Sequence, residues 1–273
     1  MSPIYLHIQE AVGFLQKQTN SSPLHTIILG TGLKNIVQEF EVTARIPLRN
    51  IPHFPPMTVP HMDDTLYTVQ IDGWPVWILG GRLHYYEGHT MEQVTFPIRL
   101  LAEAGTRSFF LTNAAGNVNP GRKAGDILLM RDHINWSFPS PLIGINHPEW
   151  GSRYPEMTEI YSSDFNEKLL DYAHQSGFQL DTGVYLGLTG PQLETPAEYR
   201  LFHQLGADMV GMSTIPEAIV AAHMDRKITA LSVLSNDASE SPIPNSTTME
   251  AIMSYIRNRK DDVSSLIRHW VKM

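Results

Sequence analysis

The chain has 273 residues, 42% of them hydrophobic and 9% aromatic, enough for one large domain with a substantial core. Lys and Arg number 20 against 28 Asp and Glu, a formal charge of −8 with no long block of one sign, which disfavours nucleic acid or an anionic membrane as the main partner. The absence of cysteine excludes disulfides, thiol nucleophiles and cysteine zinc sites. An anionic small ligand remains open if a few cations converge on it.

An amphipathic helix opens the chain, with Ile4, Ile8, Val12 and Leu15 at helical spacing over residues 4–18. This start lacks a basic segment followed by an apolar core, and no run approaches membrane-spanning length, so a cytoplasmic location is expected. Strand-like runs follow at 25–30 (HTIILG), 66–71, 74–80, 108–113, 126–130, 183–190, 208–213 and 228–235. Between them lie helical segments at 95–105, 163–177 and 195–206. Such alternation predicts a single α/β domain around a central mixed, largely parallel β-sheet flanked by helices. A last helix carrying Ile252, Ile256, Val263, Leu266, Ile267 and Trp270 is expected to pack over that sheet. The proline-rich stretches at 46–60 and 138–157 are predicted as long irregular loops, the kind that binding sites recruit.

In an open α/β sheet, ligands bind beyond the carboxyl ends of the strands, so polar residues just there matter most. In ILGTGLKNI, two glycines flank Thr31, leaving its hydroxyl and nearby amides to face an anion, or simply making a turn. The third glycine of a dinucleotide fingerprint is replaced by Asn35, which argues against a nicotinamide dehydrogenase. In ILGGRLHYYEG, the fork of Arg82 suits a phosphate, and His84 and then Tyr86 share its side if the chain stays extended. The small residues of LTNAAGNVNPG allow close approach of a ligand to backbone amides. In LTGPQLETPAEYR, Thr195, Pro196 and Glu198 read as a capping box, leaving Glu194 on the preceding loop as a candidate acceptor. In DMVGMSTIPEAIVAAHM, Thr214 and Glu217 read as a second capping box, with Met212 and Ser213 at the junction and Ser213 near the positive helix end. SVLSNDASE ends another strand with Asn236 and Asp237, an Asx turn or a site.

Taken in order, ILGTGL, GRLHYYEG, VTFPIR, TNAAGNVNPG, GDILLMRDHIN, GPQLETPAEYR and GADMVGMSTIPEAIVAAHM resemble the trimeric purine nucleoside phosphorylases, the branch acting on 6-oxopurine nucleosides. The resemblance spans about residues 25–236. It implies reversible phosphorolysis of a purine ribo- or deoxyribonucleoside, with inorganic phosphate as co-substrate and no metal or organic cofactor. It places Thr31, Arg82, His84, the Ala114 backbone and Ser213 around phosphate, and Tyr86 and Met212 at the ribose. Glu194 and Asn236 fall at the base, flanked by Leu193 and Asp237, so that Asn236, Glu194 and His84 carry the catalytic roles. Trp150 in PEWGSRYP stands where an aromatic residue is expected to reach a neighbouring subunit's sugar pocket, and a homotrimer is implied.

The sequence departs from the family pattern at Lys34, usually glycine, and around His61, near the expected position of a phosphate-loop histidine. Leu193 replaces a phenylalanine stacked on the base, and Asp237 places an acid beside it. Thr248 is the nearest candidate for the missing histidine at the sugar 5′-hydroxyl. A methylthioadenosine phosphorylase and a nucleoside-binding protein without turnover are the alternatives, the first disfavoured by Glu194 and GPQLET. Asp237 suggests a base preference that shifts on substitution by Asn.

Overall fold

The computed structural model describes residues 3–19, 22–59, 62–237 and 249–273. Within these, the strands are β1 (His25–Ile28), β2 (Glu41–Pro47), β3 (Thr65–Ile71), β4 (Trp74–Leu79), β5 (Ser108–Asn117), β6 (Ile127–Asn135), β7 (Asp181–Gly187), β8 (Met209–Gly211) and β9 (Lys227–Leu234). The helices are α1 (Pro3–Gln18), α2 (Met91–Glu103), α3 (Ser163–Ser176), α4 (Pro196–Gln204), α5 (Ile215–His223), α6 (Met249–Arg257) and α7 (Lys260–Trp270). The mixed α/β architecture expected from the sequence is present.

The strand order is β2-β3-β4-β1-β5-β8-β7-β6-β9, and β9 also pairs with β5. Five strands therefore close into a ring, while β1, β4, β3 and β2 extend from it as an open wing. The pairs β1–β4, β1–β5, β5–β9, β6–β7 and β7–β8 are parallel, and β2–β3, β3–β4, β5–β8 and β6–β9 antiparallel. Closure relieves five strands of open edges and brings the ends of β5, β8 and β9 together.

Apolar residues at helical spacing cover both faces. Ile8 and Leu15 of α1 and Ile98 and Leu100 of α2 pack with Ile215 and Val220 of α5 in one layer. Phe165 and Leu169 of α3 pack with Val263, Leu266, Ile267 and Trp270 of α7 in the other. Trp270 is fully buried, and truncating such a residue to alanine costs about 3–5 kcal/mol.

Two expectations are corrected and a third is met. The strand β2 lies in a stretch that gave no apolar run, because it is an edge strand whose residues from Glu41 to Arg45 are exposed or half-exposed; its end, Ile46–Pro47, and a 3-10 turn at Leu48–Asn50 occupy the start of the expected loop. The single C-terminal helix is two, parted at Asn258–Arg259, where the Arg259 Nε donates to the Gly125 carbonyl at 2.7 Å. The second expected loop, 138–157, is irregular as read, and Arg153 donates to the Leu142 and Gly144 carbonyls within it.

Candidate active site

A cavity of 860 Å³ opens where β1, β4 and β9 end and β5 and β8 meet. Thr31, Arg82, His84, Tyr86, Ala114, Leu193, Glu194, Met212, Ser213 and Asn236 all line it. Ten of the twelve site residues named from the sequence are thus brought together, from six separate segments.

The first segment needs its glycines for different reasons. A Cβ on Gly30 would lie 2.5 Å from the Thr112 carbonyl oxygen, so the turn can press against β5 only without one. Gly32 has φ +83, a left-handed backbone. Thr31 between them faces the cavity, as does Lys34.

Arg82 is the centre of the anionic end. It is 2% exposed, and its Nη1 donates to Ser213 Oγ at 2.9 Å and Thr214 Oγ1 at 3.0 Å. The buried Glu217 carboxylate stands 3.6 Å from Nη2. The second capping box therefore does not form. Thr214 makes no side-chain cap to α5 and adopts φ +69, ψ −48, a conformation that costs a β-branched residue about 1–3 kcal/mol. Its hydroxyl instead accepts from Arg82 and from Asn113 Nδ2 at 2.9 Å. Glu217 neutralises the arginine instead of capping the helix. The Tyr185 phenol, pushed up to about 12 by burial, lies 3.3 Å from the Ser213 amide, whose N–H donates to its oxygen.

His84 is fixed by Glu87. The Glu87 Oε1 accepts from the His84 backbone N–H at 2.7 Å and meets Nδ1 at 3.0 Å; Oε2 accepts from the Thr58 N–H and hydroxyl at 2.8 and 2.7 Å. Burial raises the Glu87 carboxyl, but these donors outweigh it and bring the pKa down to about 2. Against so acidic a carboxylate, Nδ1 carries the proton, and Nε2 is the nitrogen left for a ligand. The chain does not stay extended through Tyr86: residues Tyr85–Glu87 form a 3-10 turn. Tyr86 reaches the cavity by stacking on His84, with ring centroids 4.8 Å apart at 16°.

At the other end, the first capping box forms as read. Thr195 Oγ1 accepts from Glu198 N at 3.3 Å, Glu198 accepts from Thr195 N at 2.6 Å, and Pro196 starts α4. Glu194 sits just before it, its pKa raised by burial and held back by a hydrogen bond from Tyr199. Tyr199 also hydrogen-bonds Asn236, and its own phenol is raised by burial and by the Glu194 charge. The Asn236 Oδ1 accepts from Asn117 N at 3.0 Å and Ser235 Oγ at 3.3 Å, which fixes the amide's orientation. Leu193 is 75% exposed at the rim.

Two expected site residues lie elsewhere. Asp237 does not line the cavity: its carboxylate accepts from the Ala124 N–H at 2.7 Å, capping a neighbouring loop. Trp150 is 4% exposed, packed against Tyr5 and His147 with the Arg99 guanidinium 4.4 Å from its ring centroid. It has partners in its own chain, contrary to the reading that sent it to a neighbour. The free aromatic of that loop is Tyr154, 88% exposed. His61 and Thr248 fall outside the described residues. Glu87, Asn113, Thr214, Glu217 and Tyr199 were not named as site residues. Only Glu87 had a local signal, an acid three residues after His84 in the same motif.

The family model of the phosphorylase superfamily matches residues 25–269. Purine nucleoside phosphorylase 1 of Geobacillus stearothermophilus is 37% identical over 268 residues, covering 97% of this chain and 98% of its own. The purine nucleoside phosphorylase of Bos taurus is 38% identical over 237 residues, 85% of this chain and 82% of its own. The crystal structure of isoform 2 of the Schistosoma mansoni purine nucleoside phosphorylase, in complex with cytosine and ribose-1-phosphate, superposes with a TM-score of 0.90 at 32% identity, covering 98% of this chain and 96% of that one. With 37% identity along nearly its whole length and these motifs gathered at one cavity, the chain belongs to the phosphorylase superfamily and, within it, to the purine nucleoside phosphorylases, which are pentosyltransferases.

Proposed function

We propose that this chain catalyses reversible phosphorolysis of 6-oxopurine ribo- and deoxyribonucleosides such as inosine and guanosine, yielding the free base and the α-(deoxy)ribose 1-phosphate for purine salvage. One observation carries the reading: a single cavity holds Arg82 with the hydroxyls of Thr31 and Ser213 at one end and the Glu194 carboxylate and Asn236 amide at the other.

Purine is a poor leaving group, and the sugar develops cationic character as the bond breaks. Phosphate held by Arg82, Ser213, Thr31, the Ala114 backbone and His84 is both nucleophile and counter-charge beneath that cation. His84, with Nδ1 on Glu87, offers Nε2 as acceptor for a phosphate proton or, when protonated, as donor to a phosphate oxygen. Tyr86 and Met212 hold the ribose. At the base, Asn236 stabilises the departing ring, while Glu194 accepts the ring N–H beside the 6-oxo group; adenine presents an acceptor there and is repelled. Neither a metal nor an organic cofactor is needed, since phosphate supplies the nucleophile. In a homotrimer, Tyr154 is the aromatic of its loop free to reach a neighbouring sugar pocket. Among the described residues no helix is long and apolar enough to cross a membrane.

Inosine turnover with and without inorganic phosphate, scored by hypoxanthine release, tests the reading. Phosphate-dependent release is expected. No release from inosine, guanosine, adenosine or methylthioadenosine would replace it with a nucleoside-binding protein without turnover.

A further inference from the structure

A second cavity, of 730 Å³, shares a wall with the first. The wall is the turn at 84–89: His84 and Tyr86 face the catalytic side, whereas Tyr85, Gly88 and His89 line the second cavity. Its floor is Arg99 of α2. Arg99 is 6% exposed, yet among the described residues its guanidinium makes no ion pair and no hydrogen bond, and its Nη1 is wholly buried without a partner. Its contact is with the face of Trp150, whose own Nε1 is buried and unpartnered.

Burial lowers the Arg99 pKa to about 10, so the group stays cationic at neutral pH. A buried cation without a counter-charge is costly. The remaining titratable groups of the lining do not supply one. Glu92 is exposed and acts on Arg99 only through its charge. His223 is held below its ordinary value by burial and by Arg99, with a smaller contribution from His147. His89 stands 3.8 Å from Glu87, on the side toward the catalytic turn. Large apolar side chains complete the cavity, among them Ile143 and Ile145, 77% and 81% exposed.

We propose that the second cavity binds a small organic anion, its oxyanion head paired with Arg99 and its apolar part lying along Trp150, Ile143 and Ile145. An oxyanion matches the guanidinium fork and removes the unpaired charge, and the apolar lining gives the rest of such a ligand a surface to bury.

Equilibrium dialysis with radiolabelled inorganic phosphate as the probe tests this. The wild-type chain is expected to bind two phosphates, Arg99→Met one, the double variant Arg82→Gln/Glu217→Gln one, and the triple variant none. Arg99→Lys, which keeps the charge and most of the stem but not the fork, is expected to hold the second phosphate about tenfold more weakly. Displacement of the Arg99-dependent phosphate by acetate, at ionic strength matched with chloride, assigns a carboxylate head; resistance assigns a phosphate head. In phosphate-free buffer, Arg99→Met should melt no lower than wild type, because it removes an unpaired buried charge, which separates loss of binding from loss of folding. One phosphate per wild-type chain, unchanged in a folded Arg99→Met or Arg99→Lys, overturns the proposal.

Discussion

The two ends of the catalytic cavity are built to different standards. At the phosphate end the buried side chains are linked to one another: Arg82 to Ser213, Thr214 and Glu217, Thr214 to Asn113, and His84 to a carboxylate with four donors. These groups are buried or half-buried and stand on strand ends, on the first turn of α5 or on a turn fixed from both sides. At the base end Glu194 and Leu193 sit on a loop before α4, the leucine mostly exposed, and one tyrosine links the carboxylate to the Asn236 amide. Phosphate is common to all substrates of such a site, whereas the base is what distinguishes them. Rigidity therefore belongs at the first end, and sequence change is tolerated at the second.

Breaking the phosphate end should do the most damage. Arg82→Gln is expected to lower kcat/KM for inosine phosphorolysis by roughly 10³-fold or more, as removal of a charge-stabilising donor does. It also strands the buried Glu217 carboxylate, at a cost of about 3–5 kcal/mol in stability. The double variant Arg82→Gln/Glu217→Gln should recover most of the melting temperature and none of the activity. Recovery of both would mean that Arg82 serves the fold and not phosphate.

At the base end the expected losses fall first on specificity. Glu194→Gln and Asn236→Ala should each lower kcat/KM for inosine by about 10²-fold, with the KM for phosphate nearly unchanged; Glu194→Gln should melt close to wild type, whereas Asn236→Ala also strands the buried Asn117 N–H at a cost of about 1–3 kcal/mol. The Glu194 pKa is raised by burial, and the ionised form is much the stronger acceptor for the ring N–H. The acid limb of kcat/KM should thus lie above the ordinary carboxylate range and vanish in Glu194→Gln. A limb that persists in that variant would assign the titration to another group.

Much of this contrast was legible in the sequence, and the failures share a cause. Arg82, His84, Ser213 and Glu194 were found because each follows a strand or precedes a capped helix, so local pattern places them. Glu217 and Thr214 were misread as a capping box because their spacing fits one; only the fold brings Arg82, 132 residues from Thr214, near enough to take both side chains. β2 was missed because a solvent-facing edge strand has no apolar run to announce it. Trp150 was sent to a neighbour by the resemblance, and nothing local opposed that reading, since its cation partner, Arg99, lies in a distant helix.

A smaller effect separates the two roles of the 84–89 turn. The Glu87 carboxyl is depressed to about 2 in the folded chain, so it contributes stability that is complete above pH 4.5 and is lost as pH falls toward 2. Discounted for partial solvent screening, that is roughly 1–2 kcal/mol. Glu87→Gln should shift the acid-unfolding midpoint accordingly and lower kcat about tenfold, since Nδ1 of His84 loses its anchor. Unchanged acid stability would mean that the four hydrogen bonds carry no net weight.

The smallest expected effect is at Asp237, and it bears most directly on base choice. Read in sequence, an acid beside Asn236 suggests assistance to protonation or admission of 6-amino purines. In the fold its carboxylate caps Ala124 at 2.7 Å, outside the cavity lining, so it has no geometric route to the ring. Asp237→Asn retains an acceptor for that amide and should change the ratio of inosine to adenosine turnover less than twofold, with a stability loss of about 0.5–1 kcal/mol. Asp237→Ala removes the acceptor and should cost about 1–2 kcal/mol while leaving the ratio where it was. A ratio that moves in both variants would mean that the 235–237 turn rearranges when a base is bound, and the base end would then be adjustable in a way the phosphate end is not.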